Sequence, residues 1–147
     1  MVKEEKFEFI GKYISFLYRY HQTYLDRELE PYNIGSGQFF ILMPLYKKDG
    51  INQETISQII RVDKATITRA ITRLIDEGYV SRVRDEDDRR AYKVFLTKKG
   101  KGIKRDILAI AKRWDDIILA NLDQDQHEAV RSTFCTMYDN VCDYTNS

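Results

Sequence analysis

Cysteine, histidine and proline are scarce in this chain, which holds two of each among 147 residues. Cys135 and Cys142 are too few for a disulfide framework. His21 and His127 stand alone, so no Cys/His spacing of a zinc site exists and no metal is expected. Nucleophile–base sets and phosphate-cradling loops are also missing, which argues against an enzyme and against a cofactor. Long hydrophobic runs are absent. The most apolar stretch, Gln38 to Tyr46, is far too short to span a bilayer, and nothing resembles a signal peptide, so the chain reads as cytoplasmic with no membrane partner. Charge of one sign is lacking as well: 24 Lys and Arg face 23 Asp and Glu, a net +1. The overall basic charge that usually marks a nucleic-acid binder is therefore not available as an argument. Any such function has to be read from where the charges point.

What is present is an ordinary soluble composition, 43% hydrophobic and 32% charged, enough for one core and short for two domains. The informative stretch runs from Asp63 to Gly100. Ile67, Ala70, Ile71, Leu74 and Ile75 repeat at the spacing of one buried helical face. Asp63 suits the N-cap and Gly78 the stop, predicting a helix over 63–77. Turning by about 100° per residue leaves Ala65, Thr68, Arg69 and Thr72 on the far face, flanked by Thr66 and Arg73. Hydroxyls and guanidinium groups on a short, mostly uncharged face suit insertion between phosphates. Past Gly78 the period changes to alternation. Tyr79–Val83 and Ala91–Leu96 read as two strands around the charged tip Arg84, Asp85, Glu86, Asp87, Asp88, Arg89 and Arg90.

Helix, hairpin and charged tip together are the plan of a winged helix-turn-helix, with the helix in the major groove of DNA and the tip in an adjacent groove. Upstream, Asn52 to Ile60 reads as the first helix of the motif, capped by Asn52 and directing Ile56, Ile59 and Ile60 to the core. Gln53 and Thr55 near its amino end, and Lys64 opening the next helix, are candidate DNA contacts. So are Arg82, Arg84 and Arg89 of the wing. From Asn52 to Arg90 eight basic residues balance eight acidic ones, which gives weight to a rival reading, a winged-helix protein-interaction module without sequence-specific DNA binding. Two readings of Asp88 and Arg90 stand: Arg90 enters the minor groove while Asp88 holds its guanidinium, or the pair only fixes the hairpin.

The ends of the chain read as helices. Glu4–Leu29 carries two apolar stripes, Phe7, Ile10, Ile14, Leu17, His21 and Leu25 on one side and Phe9, Tyr13, Phe16, Tyr20 and Tyr24 on the other. Glu30 to Gly35 breaks it, and Ser36–Lys48 follows. Thr97 caps a helix running to Leu119, and Asp123 with Gln126 opens the last one, striped by Val130, Phe134, Met137 and Val141. So much apolar helix at the two ends predicts a homodimer interface built from 4–29 and 98–144. Cys135 and Cys142 lie about 10 Å apart on one face of the last helix, too far to bridge within it. They read as buried small hydrophobes, with cross-linking between subunits or a redox switch as the alternatives.

The Asp63–Gly100 stretch resembles the MarR (multiple antibiotic resistance regulator) family. The shared pattern is the Asp-capped Thr/Arg helix, then Leu74-x-x-x-Gly78-Tyr79-Val80-x-Arg82, then Asp88-x-Arg90 in the wing, then Leu96-Thr97-x-x-Gly100. The resemblance implies a mainly α (α+β) fold, a winged helix-turn-helix with a two-stranded wing and long N- and C-terminal dimerisation helices. The whole of 1–147 would be one MarR-like domain, with 1–34 and 98–147 dimerising and 35–97 binding DNA. It implies a homodimeric regulator of transcription, a repressor, on a pseudo-palindromic double-stranded operator. Many members of the family release DNA on binding small aromatic acids of the salicylate type between the dimer and DNA-binding regions. Tyr13, Arg19, His21, Phe40, Met43 and Trp114 would line such a pocket here, with packing between helices the plainer reading of the same residues.

Overall fold

The computed structural model describes residues 6–147. The chain divides into two units, one reaching Ala111 and the other running from Lys112 to Ser147. The first begins with α1 (Ile10–Leu29), a 3₁₀ turn at Glu30–Tyr32 and α2 (Ser36–Lys47). Next come β1 (Ile51–Asn52), α3 (Gln53–Ile60), α4 (Lys64–Asp76), β2 (Val80–Arg84) and β3 (Tyr92–Leu96). It closes with α5 (Lys98–Gly102) and the first half of α6 (Lys104–Ile118).

Helix boundaries follow the capping chemistry. Asn52 accepts the Glu54 amide at 2.9 Å and Asp63 accepts that of Thr66 at 2.9 Å, each taking up an amide the first turn leaves without a partner. The start of α2 is held from α1, the Asp26 carboxylate accepting the Ser36 amide at 2.7 Å, while Gln38 accepts that of Gly35 at 2.9 Å. Leu25 and Leu29 of α1, Ile41, Leu42 and Leu45 of α2, Ile56 of α3, Ile71 and Leu74 of α4 and Val94 of β3 are fully buried in one core. Ile107 of α6 joins them, and the Tyr24 hydroxyl ties α1 to α6 by donating to the Ile110 carbonyl at 2.7 Å.

Several expectations are corrected. The first helix starts at Ile10, not Glu4, and Glu4 itself lies outside the described residues. Phe9 is extended, and Phe7 turns back so that its amide donates to the Tyr13 hydroxyl at 2.9 Å and its ring stacks on Phe16. Gly11 weakens the first turn, and Phe7 gains aromatic partners by leaving the helix. The two-stranded wing hairpin forms as expected, and β1 adds a third antiparallel strand to give the order β1-β3-β2, since Ile51 and Asn52 pair with Val94 and Lys93. The expected helix to Leu119 is interrupted at Ile103, because Gly100 and Gly102 cannot carry it unbroken. Ile59, expected in the core, is 52% exposed: in so short a helix only Ile56 reaches the interior fully.

The second unit holds the end of α6 and all of α7 (Gln124–Asn146). The capping box forms as expected, with Asp123 accepting the Gln126 amide at 2.8 Å and Gln126 that of Asp123 at 2.9 Å. Arg131 reaches Asp115 at 3.4 Å, and His127 lies 3.2 Å from the Leu119 carbonyl, linking α7 to α6. Cys135 is exposed and Cys142 half-buried, so burial within the chain fails for Cys135. Phe134, Tyr138, Val141 and Tyr144 also face outward, as do Phe9, Ile10, Ile14 and Leu17 at the other end of the chain. Among the described residues, no helix is long and apolar enough to cross a membrane.

Candidate nucleic-acid interface

The buried stripe of α4, Ile67, Ala70, Ile71 and Leu74, fixes which side of that helix is presented. Ala65, Arg69 and Thr72 are exposed, with Thr66 and Thr68 half-buried at the edges. The threonine hydroxyls donate locally, Thr68 to the Lys64 carbonyl at 2.8 Å, Thr72 to that of Thr68 at 2.8 Å and Thr66 to the Asp63 carboxylate at 2.7 Å. The Thr66 and Thr68 oxygens also accept, from Arg69 and Gln53, which leaves the oxygen of the exposed Thr72 as the acceptor suited to a base amino group in a major groove. Arg69 is steadied at 3.1 Å from the Thr66 hydroxyl. The Thr66 hydroxyl and amide, both donating to Asp63, hold that carboxyl below its usual range, so the cap stays charged.

Beside this face the structure places the tip between β2 and β3. Two of its acids are engaged by the tip's own backbone. Asp85 accepts the Asp87 amide at 2.9 Å, and Asp88 accepts that of Arg90 at 3.0 Å. Both carboxylates therefore serve as turn caps. Asp88 meets the backbone of Arg90 and not its guanidinium, a correction to the expected side-chain pair; a neighbour two residues on offers its amide at shorter reach. Arg82, Arg84, Arg89 and Arg90 are all exposed.

Between helix-turn-helix and wing lies a groove of about 420 Å³ lined by Gln53, Lys64, Thr68, Arg90 and Tyr92 among others. Gln53 crosses from α3 to donate to the Thr68 hydroxyl at 2.9 Å, leaving its Oε1 buried without a hydrogen-bond partner. Lys64 meets Glu54 at 3.3 Å, an exposed pair. Thr55 is exposed on α3 and lines a second groove with Ile59 and Lys93. Arg73 points elsewhere, donating to the Asn33 carbonyl at 3.3 Å, while the Asn33 amide donates to Glu77 at 2.7 Å. That small network anchors the far end of α4 to the junction of α1 and α2.

Of the residues expected to hold an effector, the structure joins His21 and Phe40, edge to face at 6.0 Å. Tyr13 and Arg19 belong to the aromatic cluster of Phe7, Phe16 and Tyr20, with the Arg19 guanidinium 4.9 Å from the Phe16 ring centre. Met43 is half-buried on α2, and Trp114 belongs to the second unit.

Comparison with known proteins agrees with this geometry. The MarR family model matches residues 34–92. The HTH-type transcriptional regulator BilQ of Clostridioides difficile is 31% identical over 116 residues, covering 79% of this chain and 78% of BilQ. A MarR transcriptional regulator from Methanosarcina mazei Go1 superimposes with a TM-score of 0.90 at 50% identity, over 94% of this chain and 99% of that one. The chain belongs to the MarR family of winged helix-turn-helix transcriptional regulators. A putative MarR family regulator from Listeria monocytogenes, solved with a 26mer DNA, shares the fold at a TM-score of 0.86 and 21% identity, over 93% of this chain and 91% of that one.

In this MarR-family chain, sequence reasoning missed Tyr92. The ring of Tyr92 lies 4.6 Å from the Arg82 guanidinium carbon and 5.6 Å from that of Arg84, and its hydroxyl accepts from Arg84 at 3.2 Å. That hydrogen bond, with the charge of Arg84, pulls the phenol below its ordinary pKa. Strand alternation held the clue, since Tyr92 stands directly opposite Arg84.

Proposed function

We propose that this regulator acts as a homodimeric repressor on a pseudo-palindromic operator, with α4 in the major groove and Arg90 at the wing tip in the minor groove. In this reading residues 35–97 bind DNA while 1–34 and 98–147 dimerise. The observation that carries it is the orientation of α4: its apolar side is buried, while Ala65, Arg69 and Thr72 are offered outward beside an arginine-bearing tip. A two-fold dimer would set the two copies of α4 on half-sites about one helical turn, ~34 Å, apart. Contacts to phosphate would come from Gln53, Thr55, Lys64, Arg82, Arg84 and Arg89, and Arg73 is better placed to anchor α4 than to touch DNA.

A small aromatic acid as effector has one supporting observation. On α1, Arg19 and Tyr13 stand in an aromatic cluster, and guanidinium beside ring faces is the chemistry that holds an aromatic carboxylate. Such a ligand moves the equilibrium only by its difference in affinity between DNA-bound and released arrangements.

Arg90→Ala tests the wing. Affinity for a duplex selected from random sequence should fall by about 1–3 kcal/mol, and the salt dependence should flatten if a phosphate contact goes with it. The melting temperature should hold, because Asp88 grips the Arg90 backbone, which alanine keeps. Equal affinity in both proteins would remove the wing from the reading. Salt-insensitive binding by the parent protein would favour the protein-interaction alternative.

A further inference from the structure

We propose that Tyr92 is a positioning residue that converts Arg82 and Arg84 into a fixed clamp for one phosphate strand of the operator. The proposal deepens the DNA-binding reading above and rests on it. In the β2–β3 ladder Arg84 pairs with Tyr92, Arg82 with Val94 and Val80 with Leu96. Directly paired residues share a face, and alternation keeps Val80, Arg82 and Arg84 together. Val80 and Val94 are buried, so this face is the one turned toward the helices, and its outer part carries the two arginines and Tyr92. Val83, Lys93 and Phe95 occupy the other face.

Tyr92 also lines the groove that Thr68 and Lys64 of α4 share with Arg90 of the tip. Its ring therefore stands between the element assigned to the major groove and the tip assigned to the minor groove. The sugar–phosphate strand dividing those grooves is the part of DNA that passes there. An arginine on an exposed strand ordinarily samples many rotamers, and fixing them opposes binding. Here both guanidinium groups already rest on one aromatic ring, and Arg84 is further held by the phenol oxygen. The remaining N–H groups of each fork are directed by a platform already in place before DNA arrives. The ligand recognised is backbone phosphate, so the contribution does not depend on sequence.

The experiment is a salt-titrated anisotropy measurement on a fluorescein-labelled random-sequence duplex. Tyr92→Leu should weaken binding by about fivefold, because two arginine side chains must then be ordered as DNA binds. Tyr92→Phe, which keeps the ring, should lose less. The salt slope of Tyr92→Leu should match the parent, since the arginines still neutralise the same phosphates once bound. Arg82→Ala/Arg84→Ala should lower affinity and reduce the slope by about two. Adding Tyr92→Leu to that pair should change nothing further. A tyrosine that merely braces the hairpin would cost the same in both backgrounds, and that result overturns the proposal. So does parental affinity in Tyr92→Leu while the double arginine variant is weakened. Should the double arginine variant itself bind like the parent, the wing-contact reading fails, and the clamp with it.

Discussion

Gly100→Ala should lower the melting temperature by about 10 °C, from a destabilisation of about 3 kcal/mol at the upper end of what overpacking costs in a domain of this size. A β-carbon at this position falls well inside contact distance of the Tyr79 carbonyl oxygen. That oxygen already accepts the Thr97 amide at 3.0 Å, and backbone cannot swing aside as a side chain can. Around it the joint between wing and α5 is tightly tied. Thr97 donates to the Gly78 carbonyl at 2.6 Å, and Lys99 to that of Glu77 at 2.7 Å, capping the far end of α4. The Tyr46 hydroxyl donates to the Gly100 carbonyl at 2.9 Å, and burial pushes its phenol pKa up, keeping that donor protonated. Moving α5 to admit the methyl strains all of these bonds. Thermal unfolding at matched protein concentration checks it, since a dimer's midpoint depends on concentration. A midpoint within about 2 °C of the parent, less than 1 kcal/mol at this size, would show the approach is looser than drawn.

Val141→Glu should split the proposed homodimer. Val141 is 60% exposed within one chain, on the same helix as Phe134 and Tyr138. Exposed apolar side chains in such number mark an interaction surface. If α7 is buried against a second copy, a carboxylate there is desolvated without a partner at a cost of several kcal/mol per ion, and two-fold symmetry places it twice. Light scattering should then report a mass near the 17.4 kDa of one chain, where the parent reports twice that. Affinity for a two-half-site duplex should collapse in parallel, because each reading head then binds alone. A variant that stays dimeric with parental affinity would place the interface elsewhere. Circular dichroism guards against unfolding, and an exposed helical position accepts glutamate well in the single chain.

The parts of this molecule that could be read from sequence are those decided by near neighbours. Asp63 caps α4 through amides three residues on, and the stripe Ile67, Ala70, Ile71 and Leu74 needs only the helical period to be seen. Where partners are remote, the reading stops. Ile51 and Asn52 form a strand only because Val94 and Lys93 lie beside them, far along the chain. Arg73 carries the charge and the near-outward position of a DNA ligand, yet the Asn33 carbonyl decides its direction. Asp88 next to an arginine suggested a salt bridge, and the hairpin's own unpaired amide was the nearer claim. Ile59 fits the core stripe of α3, but helix length and neighbours, not period, set how much of a stripe is covered. Tyr92 was visible as a strand residue; only the register against Arg84 gives it a role.

The central claim, that the threonine-and-arginine side of α4 lies on base edges, is tested most directly by titrating Arg69→Ala and the parent against two duplexes, one selected for binding and one of random sequence. A loss of about 1–3 kcal/mol is expected on the selected duplex and a much smaller loss on the random one. Equal affinity of variant and parent for the selected duplex would contradict it.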